Sequence, residues 1–348
     1  MARNRSGRPG RAATFAGVAA GVLLAGCSGG GHKAAGLPDP GPGTVAAFDL
    51  DGLNSRYPLQ RDVSDIPFGS HVAAGRTGDV YVMHRTSSDG STEILRLTSQ
   101  GAVSRFASLG PGPTAFGLAA LPDGTLVVGR GGTLLRTTGR GAPAALPDDH
   151  RFTDPVPIGA RPDGSLVVLD GSRVWSVRNG HSAALAAAQA DELGPGTVDG
   201  AGRAYVVPAG KNRLDAVLVI PPGGAPHTLR VTGHLPGGSA PVSGLDVYTL
   251  ASAGDDGFYA TAGTPDGTAT YLIRVHGTTA DVLAAFGAPG KAATCAAGHH
   301  YPALDNPCVM PYFALPLGKR VLLVGQTDDE APTPALALQT ASAGAPSP

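Results

Sequence analysis

Across 348 residues the chain carries three cysteines, three methionines and one tryptophan, and aromatic side chains make up 5% of it. So few cysteines exclude a small scaffold held by a disulfide framework, and no two of them have the C-x₂-C spacing of a structural zinc site. Charged residues are also sparse, at 15%, and no Lys/Arg cluster occurs outside the N-terminus. That excludes the basic patch a nucleic-acid binder needs to neutralise phosphates. The N-terminal apolar run, Ala12 to Gly26, is broken by Thr14. It falls short of the roughly 20 residues a permanent membrane-spanning helix requires. What is abundant is glycine (52) and proline (31), which leave little room for long helices. With Ala plentiful and Arg favoured over Lys, this composition points to a high-GC bacterial genome.

The first 26 residues have a purpose of their own. Arg3, Arg5, Arg8 and Arg11 form a positive segment with no acidic residue, followed by the short apolar run. This is the layout of a signal peptide. It ends Leu24-Ala25-Gly26-Cys27, which resembles the bacterial lipobox. There the small residues let the signal peptidase approach, and the thiol is the nucleophile that receives the lipid. An ordinary secretory signal with a chance cysteine is the plainer alternative. No two arginines are adjacent, which favours the general export route over the twin-arginine one. Cys27 is thus expected to become the acylated (palmitate-type) first residue of an exported protein on the extracytoplasmic side of the cell membrane. Without residues 1–26 the chain has 22 basic against 27 acidic residues, a formal charge of −5. Residues 27–43 (CSGGGHKAAGLPDPGPG) read as a flexible Gly/Pro-rich tether and 341–348 as a disordered tail.

Between them, residues 44–340 repeat. VAAGRTGDVYV, GLAALPDGTLVV, IGARPDGSLVV, GTVDGAGRAYVV and LASAGDDGFYA share one layout: an apolar run, a glycine turn and a second apolar strand. A looser sixth copy is VMPYFALPLGKRVLLVG. The turn glycines Gly78, Gly124, Gly164, Gly202, Gly257 and Gly318 lie 46, 40, 38, 55 and 61 positions apart. Strand-type alternation at such periods is the signature of four-stranded propeller blades, with the turn glycine, preceded by Asp in three of the six copies, supplying the positive φ. A β-sandwich would have short strands but not this recurrent unit. The expected fold is all-β: a six-bladed propeller, seven blades being the variant, with Thr44–Leu50 supplying the missing outer strand of the last blade. The Ala-rich segment 181–193 reads as an outer strand running into a helical turn.

Leu166-Val167-Val168, Tyr205-Val206-Val207 and the Lys211-Asn212-Arg213 step before a third strand resemble the NHL-repeat and SMP-30-like propellers, in particular their exported lipoproteins. The resemblance covers roughly residues 44–340. It implies a ligand site at the mouth of the central channel and, for the enzymes of the group, acidic and asparagine metal ligands, which cannot be placed here. The single tryptophan, Trp175, speaks against Trp-Asp repeats.

Ligands of propellers usually sit where the outer-to-inner connections meet the hairpins between second and third strands. Those connections carry His71, His150, Asp154, His234 and the longest loop, 287–308, with Cys295, His299, His300, Tyr301, Asp305 and Cys308. In an oxidising exterior Cys295 and Cys308 read as one disulfide, worth about 3 kcal/mol in the chain-entropy model. That loop is open to three readings: a stapled surface loop, a ligand contact over the channel mouth, or a Cys/His metal site. The C-x₃-H-H-x₇-C spacing matches no structural zinc pattern. No cofactor is expected; a divalent metal is compatible with the residues, but no ligand set is assigned. Asp49-Leu50-Asp51-Gly52 and Asp255-Asp256-Gly257 read as turns, and Ser239 and Ser243 near His234 lack a nucleophile elbow.

Val72, Leu118, Ile158 and Val198, on the innermost strands, are apolar where an enzyme would place metal or cofactor ligands, Asp246 being the exception. This favours a binding or recognition module for a protein, glycan or small molecule. The alternatives are an enzyme (a lactonase, a lyase or a quinone-dependent sugar dehydrogenase) and a structural scaffold in an envelope complex. Replacing Cys27 with serine is expected to abolish acylation: the N-terminal peptide loses its lipid mass, and the chain moves from the detergent to the aqueous phase on Triton X-114 partition.

Overall fold

A computed structural model describes residues 36–50, 72–75, 77–85, 91–187, 193–254, 256–287, 295–308, 313–324 and 334–339. Cys27, His71 and the tail lie outside them. The described strands form six antiparallel sheets, five of four strands and one of five. This is a six-bladed β-propeller, not a seven-bladed one. In blade 1 the strands are Val72–Ala74, Val80–Arg85, Thr92–Leu97 and Val103–Gly110, innermost first. Blades 2 to 5 repeat this order, beginning at Ala115, Val156, Leu193 and Asp246.

Each blade stacks against a neighbour on both faces, which explains why the second strands are continuous apolar runs rather than alternating ones. Leu126-Val127-Val128 and Val167-Val168 have no measurable exposure. Six apolar clusters result, one between each pair of neighbouring blades. Between blades 2 and 3, for example, Val127 and Leu134 meet Leu166 and Val168. Outer strands alternate toward solvent, so Ala-rich His181–Ala187 forms a half-exposed strand.

The six turn glycines all take positive φ, from 60° to 93°, at the hairpins that join first and second strands. These hairpins, with those joining third and fourth strands, make one end of the ring, here the turn end. The connections between blades and the second-to-third hairpins make the other, the crossover end.

Blade 6 is assembled from both ends of the domain. Phe313–Leu317, Arg320–Val324 and Ala335–Gln339 are its inner three strands, and Thr44–Phe48 is the fourth. Val45 stands opposite Leu338 and Phe48 opposite Ala335. A fifth strand, His300–Pro302, covers the outer edge, pairing Thr44 with Pro302 and Ala46 with His300. An uncovered edge strand invites pairing with other chains, and here it is covered.

The expected tether is corrected at its end. Leu37 is 7% exposed and joins the core between blades 6 and 1. Asp39 accepts from the guanidinium of Arg320 at 3.3 Å. The chain is therefore fastened from Leu37 onward, because one leucine finds an apolar gap beside Gly101.

Carboxylates brace several turns. Asp123 accepts from the Thr125 amide at 2.8 Å, and Asp163 from the Ser165 hydroxyl at 2.7 Å and its amide at 2.9 Å. These bonds hold both carboxyls below their ordinary pKa, and the hydroxyls of Thr264 and Thr268 bring Asp266 down to about 2. A carboxyl with a folded-state pKa below its unfolded value contributes stability above the unfolded value and loses it as pH falls through the folded one. Thermal melts followed by circular dichroism should be flat from neutral pH to about 5 and then fall between about pH 4 and 2. Asn at positions 123, 163 and 266 should flatten that fall.

Candidate functional site

The central channel opens at the turn end into a cavity of about 690 Å³ to which all six blades contribute. Its wall is the second half of each innermost strand and the turn that follows. Val72–Gly75, Leu118–Pro122, Ile158–Pro162 and Thr197–Gly200 come from blades 1 to 4; Ala251, Ser252 and Gly254 come from blade 5, and Pro316 from blade 6. The four apolar positions expected on the innermost strands, Val72, Leu118, Ile158 and Val198, all line it.

The main chain at this mouth is largely bonded to itself. The amides of Gly75, Leu121, Arg161, Asp199 and Ala253 donate to the carbonyls of Asp79, Thr125, Ser165, Arg203 and Gly257, so each turn is closed in the same way. A further bond from the Gly200 amide to the Gly254 carbonyl ties blade 4 to blade 5.

Two charged residues stand at equivalent positions on this rim, Arg161 and Asp199, where the other blades have Gly75, Leu121 and Ala253. The Asp199 side chain is fully buried beside Arg203. Its carboxylate accepts from the amide and Nε of Arg203 at 2.9 and 2.8 Å, from the Tyr205 hydroxyl at 3.0 Å and from the Gly257 amide at 3.1 Å. Burial, and then the Asp199 charge, raises the Tyr205 hydroxyl pKa. Arg203 also pairs with Asp256, which holds Nε2 of His276 at 2.8 Å. Gly257 fits here because a Cβ would come within 1.9 Å of the Val275 carbonyl oxygen. Arg161, 8% exposed, runs between blades 3 and 4, where its guanidinium donates to the Ile220 carbonyl at 3.4 Å and its Nε has no partner. Burial pulls its pKa down, and Asp163 opposes the shift.

None of the described residues expected to touch a ligand lines this cavity. His150 caps the joint between blades 2 and 3, stacked on Trp175 at 4.0 Å and edge-on to Phe152 at 4.7 Å. Asp154 is exposed and gives its amide to Asp170 at 2.8 Å. His234 is exposed in the connection from blade 4 to blade 5, paired with Pro241. His299, His300, Tyr301 and Asp305 do share one loop, fastened by a Cys295–Cys308 disulfide with Cα atoms 4.9 Å apart. The expectation that this loop overhangs the channel is corrected: it lies on the perimeter of blade 6. The open edge of strand Thr44–Phe48 draws residues 300–302 into a ladder, and Asn306 donates to the carbonyls of Ala285 and Ala303. Tyr301 accepts the Ala296 amide at 3.0 Å, with its ring 6.2 Å from His299. Among the described residues no three His, Cys, Asp or Glu side chains gather as a metal-binding set.

The residues missed are Arg161, Thr197, Asp199 and Ser252. The signal lay in the repeats themselves: superposed on their glycine turns, they put Arg161 and Asp199 where neighbours carry Gly, Leu or Ala.

No protein-family model and no curated protein sequence matches the chain. Solved structures do resemble it. Virginiamycin B lyase from Staphylococcus aureus matches at 11% identity and a TM-score of 0.46, over 79% of this chain and 95% of its own. A gluconolactonase from Xanthomonas campestris matches at 13% and 0.48, over 87% and 99%. The PQQ-bound aldose sugar dehydrogenase from Streptomyces coelicolor matches at 15% and 0.48, over 86% and 99%. At such identities the likeness is one of fold.

Replacing Asp199 with alanine should leave Arg203, Tyr205 and the Gly257 amide without their common acceptor. Loss of about 3 kcal/mol is expected, read as a lower midpoint in urea unfolding.

Proposed function

We propose that this chain is an exported lipoprotein, anchored through Cys27 on the extracytoplasmic side of the cell membrane, whose propeller is a binding module with its site at the turn-end mouth. The observation that carries the reading is the chemistry of the cavity wall. A concave space of this volume lined by Val, Leu, Ile, Ala and Pro, with a few polar side chains, is built to bury an apolar surface. Its one carboxylate among the described residues, Asp199, is committed to Arg203, Tyr205 and Gly257, so it is not free to act as a general base. A small molecule, or an apolar group projecting from a glycan or protein partner, fits such a mouth.

The test uses the full chain isolated from membranes without chelators. Native mass spectrometry should find a non-covalent ligand, and Ala74→Trp with Ala160→Trp, both at the mouth, should remove it while the melting temperature holds. A stoichiometric divalent ion that disappears on replacing His299 and His300 with alanine would instead move the function to the perimeter loop and toward catalysis.

A further inference from the structure

We propose that the turn-end mouth faces the bilayer to which the chain is anchored, and that its ligand is a lipid amphiphile of that bilayer whose apolar portion enters the cavity. The inference rests on the lipoprotein reading above and goes further by fixing which face meets the membrane and what it takes up.

Three observations carry it. The first is where the chain joins the propeller. Leu37 packs beside Gly101, in the turn between third and fourth strands of blade 1. Asp39 pairs with Arg320, just after the Gly318 turn of blade 6. Both contacts are at the turn end, the end that holds the cavity.

The second is the length of chain that remains. Ten peptide steps separate Cys27 from Leu37, a span of at most about 35 Å fully extended and about 17 Å as a flexible coil. A link of that length keeps the turn end near the headgroups. Facing the crossover end to the bilayer would make the same ten steps climb the height of a blade, about 20 Å of strand. That stretches the link somewhat beyond its coil length and costs conformational freedom that the turn-end orientation keeps.

The third is the wall itself. Leu121, Pro122 and Pro162 stand at the rim, and Val72, Leu118 and Ile158 lie deeper. A cavity whose lining is more apolar than polar takes up apolar groups near it, and for a face held against a membrane the nearest is an acyl chain. Burial of its methylenes drives the transfer.

The experiment uses the acylated full chain on phosphatidylcholine–phosphatidylglycerol vesicles carrying a rhodamine-labelled lipid. Two single-cysteine variants, Arg140→Cys at the turn end and Arg151→Cys at the crossover end, both beside blade 2, receive the same donor dye. Cys27 is acylated and Cys295 and Cys308 are paired, so neither competes for the label. Energy transfer should be several-fold stronger from position 140. A dansyl-labelled undecanoic acid should bind the full chain and lose at least tenfold in affinity in Ala74→Trp and in Ala160→Trp, each checked for unchanged melting. Vesicle-bound chain with equal or stronger transfer from position 151 overturns the proposal alone, as does dansyl binding indifferent to both substitutions. A chain that does not stay with the vesicles overturns the proposal together with the anchoring it rests on.

Discussion

The ladder between Thr44–Phe48 and Ala335–Gln339 is the interaction on which the rest depends. Every blade needs a neighbour on both faces, because its second strand is apolar on both. A row of such sheets has two unsatisfied ends unless it closes. Closure comes from joining the first strand of the domain to its last blade, which places Phe48 and Leu50 beside Phe313, Leu315 and Leu322 and completes the sixth core. The channel and its mouth are by-products of that ring: six innermost strands that cannot converge on the axis leave a space, and their turns set its rim.

The rim shows how such a ring handles polarity. The turns of blades 1 to 5 close their own backbone bonds in the same pattern, so the mouth presents side chains more than main-chain polar groups. Asp199 adds a bond across the joint, since Gly257 belongs to the next blade. The buried carboxylate at the mouth is thus a fastener between blades 4 and 5.

Much of the fold was legible because its cause is local and repeated. Glycine turns with positive φ, apolar runs of strand length and an unpaired N-terminal strand each follow from short-range chemistry, and all of them stand in the structure. Leu37 was hidden by its surroundings: one leucine among Gly and Pro gives no periodic signal, and its burial depends on a gap next to Gly101. The site was hidden for a different reason. Loops rich in His and Asp draw attention, yet His150 spends its ring on Trp175, and the segment 300–302 is claimed by an open strand edge. Meanwhile the cavity is walled by residues that look like core, and Arg161 and Asp199 stand out only when the repeats are superposed.

The strand Thr44–Phe48 is held on both edges, by Leu338 and Ala337 on one side and by Tyr301 and His300 on the other. Tension along the strand axis would load both ladders in shear, so that several hydrogen bonds must break together instead of unzipping one after another. The disulfide-fastened loop thus backs the strand that closes the ring: opening the propeller at this seam means breaking two ladders instead of one.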